Sequence, residues 1–362
     1  MTSPFDKNKC RKIIVFKFGG IGDYVIMLPL FESLRKNFPD SQIWTIAAPP
    51  GKELLERSGF VNKCIISEVL YKQGIESIFS LKVLKDIMNI SRQLEKPYDL
   101  YIDCVSKFSL MGALKPWLVD ILCKPLISAG LNCEGRAFYL DIKVEDNRDL
   151  PRHNIYRYCD ILKAIGIDSR FSLPSISLSS EQLKKTMGFF TPYAGQAKIC
   201  LHCGARQKFL SQKAWPLERF AALAQKLTEE GNTTVFATGS REEMPLVDKL
   251  CAIASCKIIP VPPEDDIYQF CAVISCFDYF ISNDTGPMHL AVAMRVPTVG
   301  IFGRADYESY GAYPDDVPFS AVTLSDGKKY GNAPNVDDPR GLKNISVDMV
   351  YEHFKKLRER RK

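Results

Sequence analysis

The apolar positions alternate between two spacings along the chain. Residues 13–18 form a short β-branched and aromatic run that Gly19, Gly20 and Gly22 break, and residues 24–37 repeat apolar side chains at helical intervals through Val25, Leu28, Phe31 and Leu34. The spacing predicts strand, glycine turn, helix. It then predicts strands over 42–47, 63–66 and 98–104, with helices over 51–58, 78–94 and 153–165. Strands alternating with helices predict a parallel sheet.

After residue 165 the chain turns polar, and the Ser-, Pro- and Gly-containing segment around a helix at 180–190 marks a linker over 176–195. The alternation then restarts. Strands are predicted over 198–203, 233–238, 279–282 and 298–302, and helices over 216–230, 242–255, 267–276 and 287–294. Ser346 can cap a last helix whose Val347, Val350, Phe354 and Leu357 share one face. The expected division is an N-terminal unit over 1–175, the linker, a C-terminal unit over 196–345 and an amphipathic helix with a basic tail over 346–362. Two similar doubly wound units of this kind would face each other across a cleft, with ligands at the carboxyl ends of the strands.

Composition narrows the function classes. A chain of 362 residues with 46% hydrophobic and 25% charged side chains is neither disordered nor fibrous and has material for two domains. Its net charge of +6 is concentrated in residues 340–362, which hold eight basic and three acidic side chains. No basic stripe remains for nucleic acid, which needs many phosphate contacts made together. The basic end is read either as solvated or as resting on an anionic membrane surface. Residues 1–12 lack the apolar core of a signal peptide, and no apolar run approaches the ~20 residues of a membrane span. A cytoplasmic location with reduced thiols is expected for the twelve cysteines. The one metal-like spacing, Cys200-Leu201-His202-Cys203, lies in a predicted strand, where residues three apart point to opposite faces. No metal site is expected.

The turn Gly19-Gly20-Ile21-Gly22-Asp23 fills the first half of a dinucleotide fingerprint, but Val25 stands where its third glycine belongs. The acid that would hold a ribose is also missing, because Asp40 precedes the second strand and Ala47 ends it. What remains is Asp23 at a helix N-terminus, which favours its charged form. It serves either as an ordinary helix-end acid or as a reactive carboxylate, and the three glycines favour the second because they let another molecule approach the backbone.

In the second half, Ser282-Asn283-Asp284-Thr285-Gly286-Pro287-Met288-His289 runs from strand into helix, with Pro287 suited to an early helical position. Asp284, Thr285 and Gly286 place polar groups and bare N–H donors where a phosphate can be held. His289, one turn along, reads either as part of that site or as a buried, hydrogen-bonded histidine. The segment from His202-Cys203-Gly204-Ala205-Arg206 to Lys213-Ala214-Trp215-Pro216 carries Arg206, Lys208 and Lys213 toward the same anion. Lys213 there would offset a departing diphosphate or stand as a solvated amine.

Taken together, Phe18-Gly19-Gly20-Ile21-Gly22-Asp23, His202-Cys203-Gly204-Ala205 with Lys213-Ala214-Trp215-Pro216, and Asn283 through Ala291 resemble glycosyltransferase family nine, the lipopolysaccharide heptosyltransferases. The resemblance spans nearly the whole chain, with the motifs in order. It implies a GT-B α/β fold of two facing Rossmann-like domains with an interdomain cleft, acceptor on the first and sugar nucleotide on the second. It implies an enzyme without cofactor or metal that moves heptose from ADP-heptose to a lipopolysaccharide inner-core acceptor with inversion, in the cytoplasm, with or without peripheral contact at the inner membrane. Position by position, it makes Asp23 the general base and Lys213 the group that stabilises ADP. Gly204, Ala205, Asp284, Thr285, Gly286 and His289 would bind the nucleotide, and Gly19, Gly20 and Gly22 would form the acceptor-side loop.

This chain departs from the family's His-Pro-Gly at His202-Cys203-Gly204 and from its Gly-Pro-Thr-Asp at Gly303-Arg304-Ala305-Asp306. Residues 320–345 contain no cysteine, unlike the iron-binding branch. The alternatives are the same fold acting on another activated sugar or acceptor, and a non-catalytic sugar-nucleotide-binding protein.

Overall fold

The computed structural model describes residues 7–68, 81–107, 109–147, 152–204, 214–303, 307–311, 313–314, 316–324 and 341–360. The chain divides into two compact units, Met1–Pro174 and Ser175–Lys362.

In unit 1 the strands are β1 (Lys12–Phe16), β2 (Gln42–Ala47), β3 (Lys63–Ile66), β4 (Tyr98–Asp103), β5 (Pro125–Asn132) and β6 (Ile142–Glu145). They form one parallel sheet in the order β3-β2-β1-β4-β5-β6. β1 lies at its centre, with Ile13 opposite Ile43 on one side and Leu100 on the other. The helices are α1 (Ile21–Asn37), α2 (Lys52–Glu56), α3 (Leu81–Gln93), α4 (Leu110–Cys123) and α5 (Asn154–Ala164). Steps through α1 and α2 move toward β3 and those through α3 and α4 move away from it, so right-handed crossovers put the two pairs on opposite faces. The core agrees: Ile90 of α3 and Val119 and Cys123 of α4 share one cluster with Ile14, Phe16, Trp44, Ile46 and Ile65 of the sheet.

Unit 2 repeats the plan. Its strands β7 (Ala197–His202), β8 (Thr233–Ala237), β9 (Ile258–Pro260), β10 (Tyr279–Asn283), β11 (Thr298–Phe302) and β12 (Phe319–Thr323) are ordered β12-β11-β10-β7-β8-β9. Renumbered within the unit, this is the order of the first sheet, again parallel throughout. The helices are α6 (Ser180–Phe190), α7 (Leu217–Thr228), α8 (Met244–Ile253), α9 (Ile267–Ser275), α10 (Gly286–Ala293), α11 (Tyr307–Tyr310) and α12 (Val347–Glu359). Within the segment read as a linker, α6 docks on α9, where Gln269 Nε2 donates to the Gln182 carbonyl at 3.2 Å and to Thr186 Oγ1 at 2.5 Å. Ser346 caps α12 by accepting the Met349 N–H, and Val350, Phe354 and Leu357 enter the core of unit 2.

Six elements extend the sequence reading: α4, β5, β6, β9, α11 and β12 were not anticipated. Helix α1 also starts three residues earlier than expected, at Ile21, which places Asp23 in its first turn. Cys200 faces Thr238 Oγ1 at 3.3 Å, while Cys203 packs in the core cluster of the other sheet face, so the two sulfurs diverge as alternation requires. All twelve cysteines are free thiols. No helix among the described residues is long and apolar enough to cross a membrane.

Asp120 on α4 has a buried oxygen, Oδ1, without a hydrogen-bond partner, and burial, then Asp141 and Asp103, push its carboxyl up to about 7. A folded-state value above the unfolded one contributes stability at low pH that disappears as pH rises through about 7. Asp120→Asn, neutral throughout, should therefore gain stability over the parent chain as pH rises from about 4 to about 7, and the gain should level off above that. Urea unfolding across this range checks it; a pH-independent difference between the two proteins would refute the assignment.

Candidate active site

In unit 1 the chain leaves β1 at Phe16 and turns through Lys17, Phe18, Gly19 and Gly20 into α1. Gly20 is the N-cap, in extended conformation and with no side chain to offer the helix. Asp23, three residues on, supplies the bond instead: its Oδ2 accepts the Gly20 N–H at 2.8 Å. A Cβ on Gly19 would sit 2.4 Å from both Cγ and Oδ2 of Asp23, so the carboxylate lies where only glycine leaves room. Gly22 is buried in the same turn.

The other carboxylate oxygen, Oδ1, stands 3.5 Å from Lys17 Nζ, with the two side chains 19% and 11% exposed, respectively. Burial works against the Lys17 charge, but Tyr158 and Asp23 outweigh it and hold the ammonium above the ordinary lysine range. Tyr24 locks the turn by donating to the Lys17 carbonyl at 3.0 Å and accepting the Ala48 N–H at 2.7 Å, which ties the exits of β1 and β2 together. Asp23 is thus a helix-end acid and, at the same time, a partly exposed carboxylate beside a fixed cation. The helix-end reading of the sequence is seen directly in the bond to Gly20. Lys17, Tyr24 and Tyr158 went unnoticed because their partnership with Asp23 depends on the fold.

Also at this carboxyl edge, Lys107 Nζ meets Asp103 Oδ2 at 2.7 Å with both side chains fully buried, and donates to the Val105 and Leu131 carbonyls at 3.0 and 2.8 Å. Tyr139 donates its hydroxyl to the same Asp103 oxygen. The one sequence signal was an acid at the end of β4.

In unit 2, Asn283 ends β10 and is fully buried. Its Nδ2 donates to the carbonyls of Cys203 at 3.0 Å and Gly204 at 3.3 Å, and its Oδ1 accepts the Trp215 N–H at 3.0 Å. One side chain therefore ties the exit of β7 to the segment entering α7. Ala205, Arg206, Lys208 and Lys213 lie outside the described residues. The Trp215 indole N–H reaches the Ile345 carbonyl at 2.9 Å and fixes the same segment against the C-terminal helix region.

Beyond Asn283, Thr285 is the N-cap of α10 and makes no side-chain cap, while Gly286 and Pro287 open the helix. The first-turn N–H groups carry the partial positive charge expected of a helix start. Thr285 Oγ1 instead reaches back to the Asn283 carbonyl at 3.3 Å. His289 is buried, with Nε2 3.9 Å from Asp284 Oδ1 and Nδ1 3.4 Å from the Tyr313 hydroxyl. It stands behind Asp284, in the buried hydrogen-bonded role that the sequence left open.

Glu243, before α8, was also missed. Its Oε2 accepts the Ser240 N–H at 2.9 Å, and its Oε1 lies 2.4 Å from the point a Gly204 Cβ would occupy. The signal in the sequence is Ser240 followed three residues later by Glu243 after a strand. Burial pulls the neighbouring His202 below its usual range, with Glu243 opposing. Gly204, Glu243, Asn283 and the start of α10 all lie at the carboxyl edge of the second sheet, where doubly wound folds bind ligands. Among the described residues no group of three or more His, Cys, Asp or Glu side chains is placed to hold a metal ion.

A family profile described as glycosyltransferase family 9 (heptosyltransferase) matches residues 87–335, more than half of the chain. The chain belongs to glycosyltransferase family 9. It is a glycosyltransferase. It is 30% identical to the lipooligosaccharide heptosyltransferase 2 of Campylobacter jejuni serotype O:6 (strain 81116), over 96% of this chain and 99% of that one. Among solved structures, the family 9 glycosyltransferase of Veillonella parvula superposes with a TM-score of 0.73 at 20% identity, covering 96% of this chain and 97% of that one. The ADP-heptose lipopolysaccharide heptosyltransferase II of Escherichia coli gives 0.70 at 22%, covering 97% and 99%. The fold is the GT-B α/β fold of these family members, as the motifs implied.

Asn283→Ala would strand two buried carbonyls and one N–H of this family 9 chain, and should lower its unfolding free energy by about 1–3 kcal/mol. Asn283→Asp keeps the shape but turns an oxygen on those carbonyls and should destabilise at least as much. Chemical denaturation measures both; unchanged midpoints would remove Asn283 as the tie between β7 and β10.

Proposed function

We propose that this enzyme transfers heptose from ADP-heptose to a lipopolysaccharide core acceptor in one inverting displacement that needs no metal ion. The observation that carries the reading is the Asp23 carboxylate, which is held between the Gly20 N–H and Lys17 at a strand-end edge and is still 19% exposed. An acceptor hydroxyl placed against it gives its proton to Asp23 as the hydroxyl oxygen attacks the anomeric carbon. The bond from that carbon to the phosphate oxygen breaks, ADP leaves with the electron pair, and the configuration at carbon inverts. Lys17, 3.5 Å from Oδ1, holds the carboxylate in place for that transfer.

The start of α10 supports the donor half of the reading. Thr285, Gly286 and the first-turn N–H groups offer a diphosphate the donors and dipole that a divalent ion would otherwise supply. Asp284, backed by His289, shapes that turn, Gly204 brings bare backbone beside it, and Ala205 follows in the motif. Glu243 is a carboxylate suited to accept from sugar hydroxyls. Lys213 takes its role, charge compensation on the departing ADP, from its position in the family motif. The related proteins named for heptose transfer to lipopolysaccharide or lipooligosaccharide support the choice of donor and acceptor.

Asp23→Asn separates base from cap, because asparagine can still accept the Gly20 N–H. It should unfold like the parent chain yet lose transfer by roughly 10²-fold or more, as should Lys213→Ala. Activity retained in Asp23→Asn would leave only the cap. Calorimetry with ADP-, GDP- and UDP-sugars in the presence of chelator should show binding of ADP-heptose alone. Preference for another nucleotide would reassign the donor, and binding that required a divalent ion would overturn the metal-free scheme.

A further inference from the structure

Eight of the eleven large hydrophobic side chains that stand exposed among the described residues belong to unit 1, and six of these sit on α3 and α4. On α3, Leu81, Leu84 and Met88 follow i, i+3, i+7 spacing and form one stripe, opposite the core residues Val83 and Ile90. On α4, Leu110, Trp117 and Ile121 follow i, i+7, i+11 spacing opposite Val119 and Cys123. Leu81 is 76% and Leu110 68% exposed, so these are not core residues at the margin of burial. The Trp117 ring meets Phe138, itself exposed, at 5.6 Å. Because α3 and α4 pack on the same face of the sheet, their outward stripes point to the same side of the unit.

The charges on these helices have one sign at the surface. Lys82, Lys85 and Arg92 of α3 and Lys124 at the end of α4 are exposed. The two acids are withdrawn: Asp86 is half-buried and accepts the Ser67 hydroxyl at 2.5 Å, and Asp120 is half-buried on α4. Apolar stripes with a tryptophan and a cationic margin match the boundary between acyl chains and anionic headgroups, whereas a protein partner would require no single sign of charge. Apolar patches of this kind on soluble domains mark interaction surfaces.

We propose that the outward faces of α3 and α4 are the surface by which this enzyme docks on a bilayer containing anionic lipid, placing unit 1 beside a membrane-anchored acceptor. The proposal rests on the lipopolysaccharide acceptor proposed above, since that acceptor is held in a bilayer by its lipid. Position agrees: α4 begins a short loop after β4, at the carboxyl edge where β1 also delivers Asp23. The basic C-terminal tail is then dispensable for membrane contact.

Full-length protein is sedimented with phosphatidylcholine vesicles with and without phosphatidylglycerol. Trp44 and Trp215 are buried, so quenching of tryptophan emission by bromolipid reports on Trp117, the third and last tryptophan. The parent chain should bind the anionic vesicles and be quenched. The combined Leu84→Ser, Met88→Ser and Ile121→Ser variant should lose about tenfold or more in partitioning, and so should Lys85→Glu with Arg92→Glu. Deletion of residues 359–362 should leave binding intact. Turnover with a delipidated, water-soluble acceptor should stay at the parent level in all of these variants. Failure of the parent chain to bind, emission untouched by bromolipid, binding lost with the tail, or a parent dimer that the serine variant dissociates would each overturn the proposal. Vesicle binding through this face by a chain that transfers no heptose would instead reject the acceptor reading and leave the docking surface standing.

Discussion

The absence of a side chain at two glycines sets where two carboxylates at the strand-end edges of this protein lie. Asp23 folds back over Gly19 and Glu243 over Gly204, each with an oxygen 2.4 Å from where a Cβ would be. In both cases the glycine follows a strand and the acid stands at the start of the next helix or the one beside it, so the carboxylate is held against backbone N–H groups at the carboxyl edge of a parallel sheet. Neither glycine has to adopt a left-handed conformation for this, since neither has the positive φ found at Gly59 or Gly166. Space alone makes glycine necessary. An alanine would displace the acid and, at Gly19, break its pairing with Lys17.

Much of the architecture was legible because a doubly wound unit writes its central strands as uninterrupted apolar runs. β1, β10 and β11 are buried on both faces, and glycine or polar breaks separate β1 and β10 from the helices that follow. The elements that escaped are those whose patterns are blurred by their position. β6, β9 and β12 are edge strands, short or half polar, and β9 ends in proline. Helix α4 carries apolar residues both inward, at Val119 and Cys123, and outward, at Leu110, Trp117 and Ile121, so no single face stands out in its sequence. A surface apolar stripe and a failed helix prediction are thus the same fact about α4.

The site was legible to the extent that it is local. Gly19, Gly20, Gly22 and Asp23 occupy one turn, and Asp284, Thr285 and Gly286 another, and both announce themselves as glycine or polar breaks between a strand and a helix. What joins them to the rest of the fold is not local. Lys17 acts through Tyr158, and Asn283 through residues 68 to 80 positions away. No spacing rule shows such partners, because they are chosen by which strands lie side by side.

The buried charges of unit 1 follow from the same geometry. The pairs Asp103–Lys107 and Asp146–Arg157 sit nearly without solvent, at 2.7 and 2.6 Å, and a buried pair of this kind adds little stability over a well-packed apolar pair. Their bonds show what they do instead. Lys107 spans from Val105 to the Leu131 carbonyl, Arg157 reaches the Arg152 carbonyl at 2.5 Å, and Asp146 accepts from Ser106 and Cys133. Each pair ties together loops that leave neighbouring strands at the carboxyl edge, where the backbone has run out of sheet partners. Strand-end backbone needs donors and acceptors from elsewhere. A charged side chain can satisfy several at once in one fixed geometry, and at the edge that presents Asp23 the buried cations Lys107 and Arg157 do so for the Val105, Leu131 and Arg152 carbonyls.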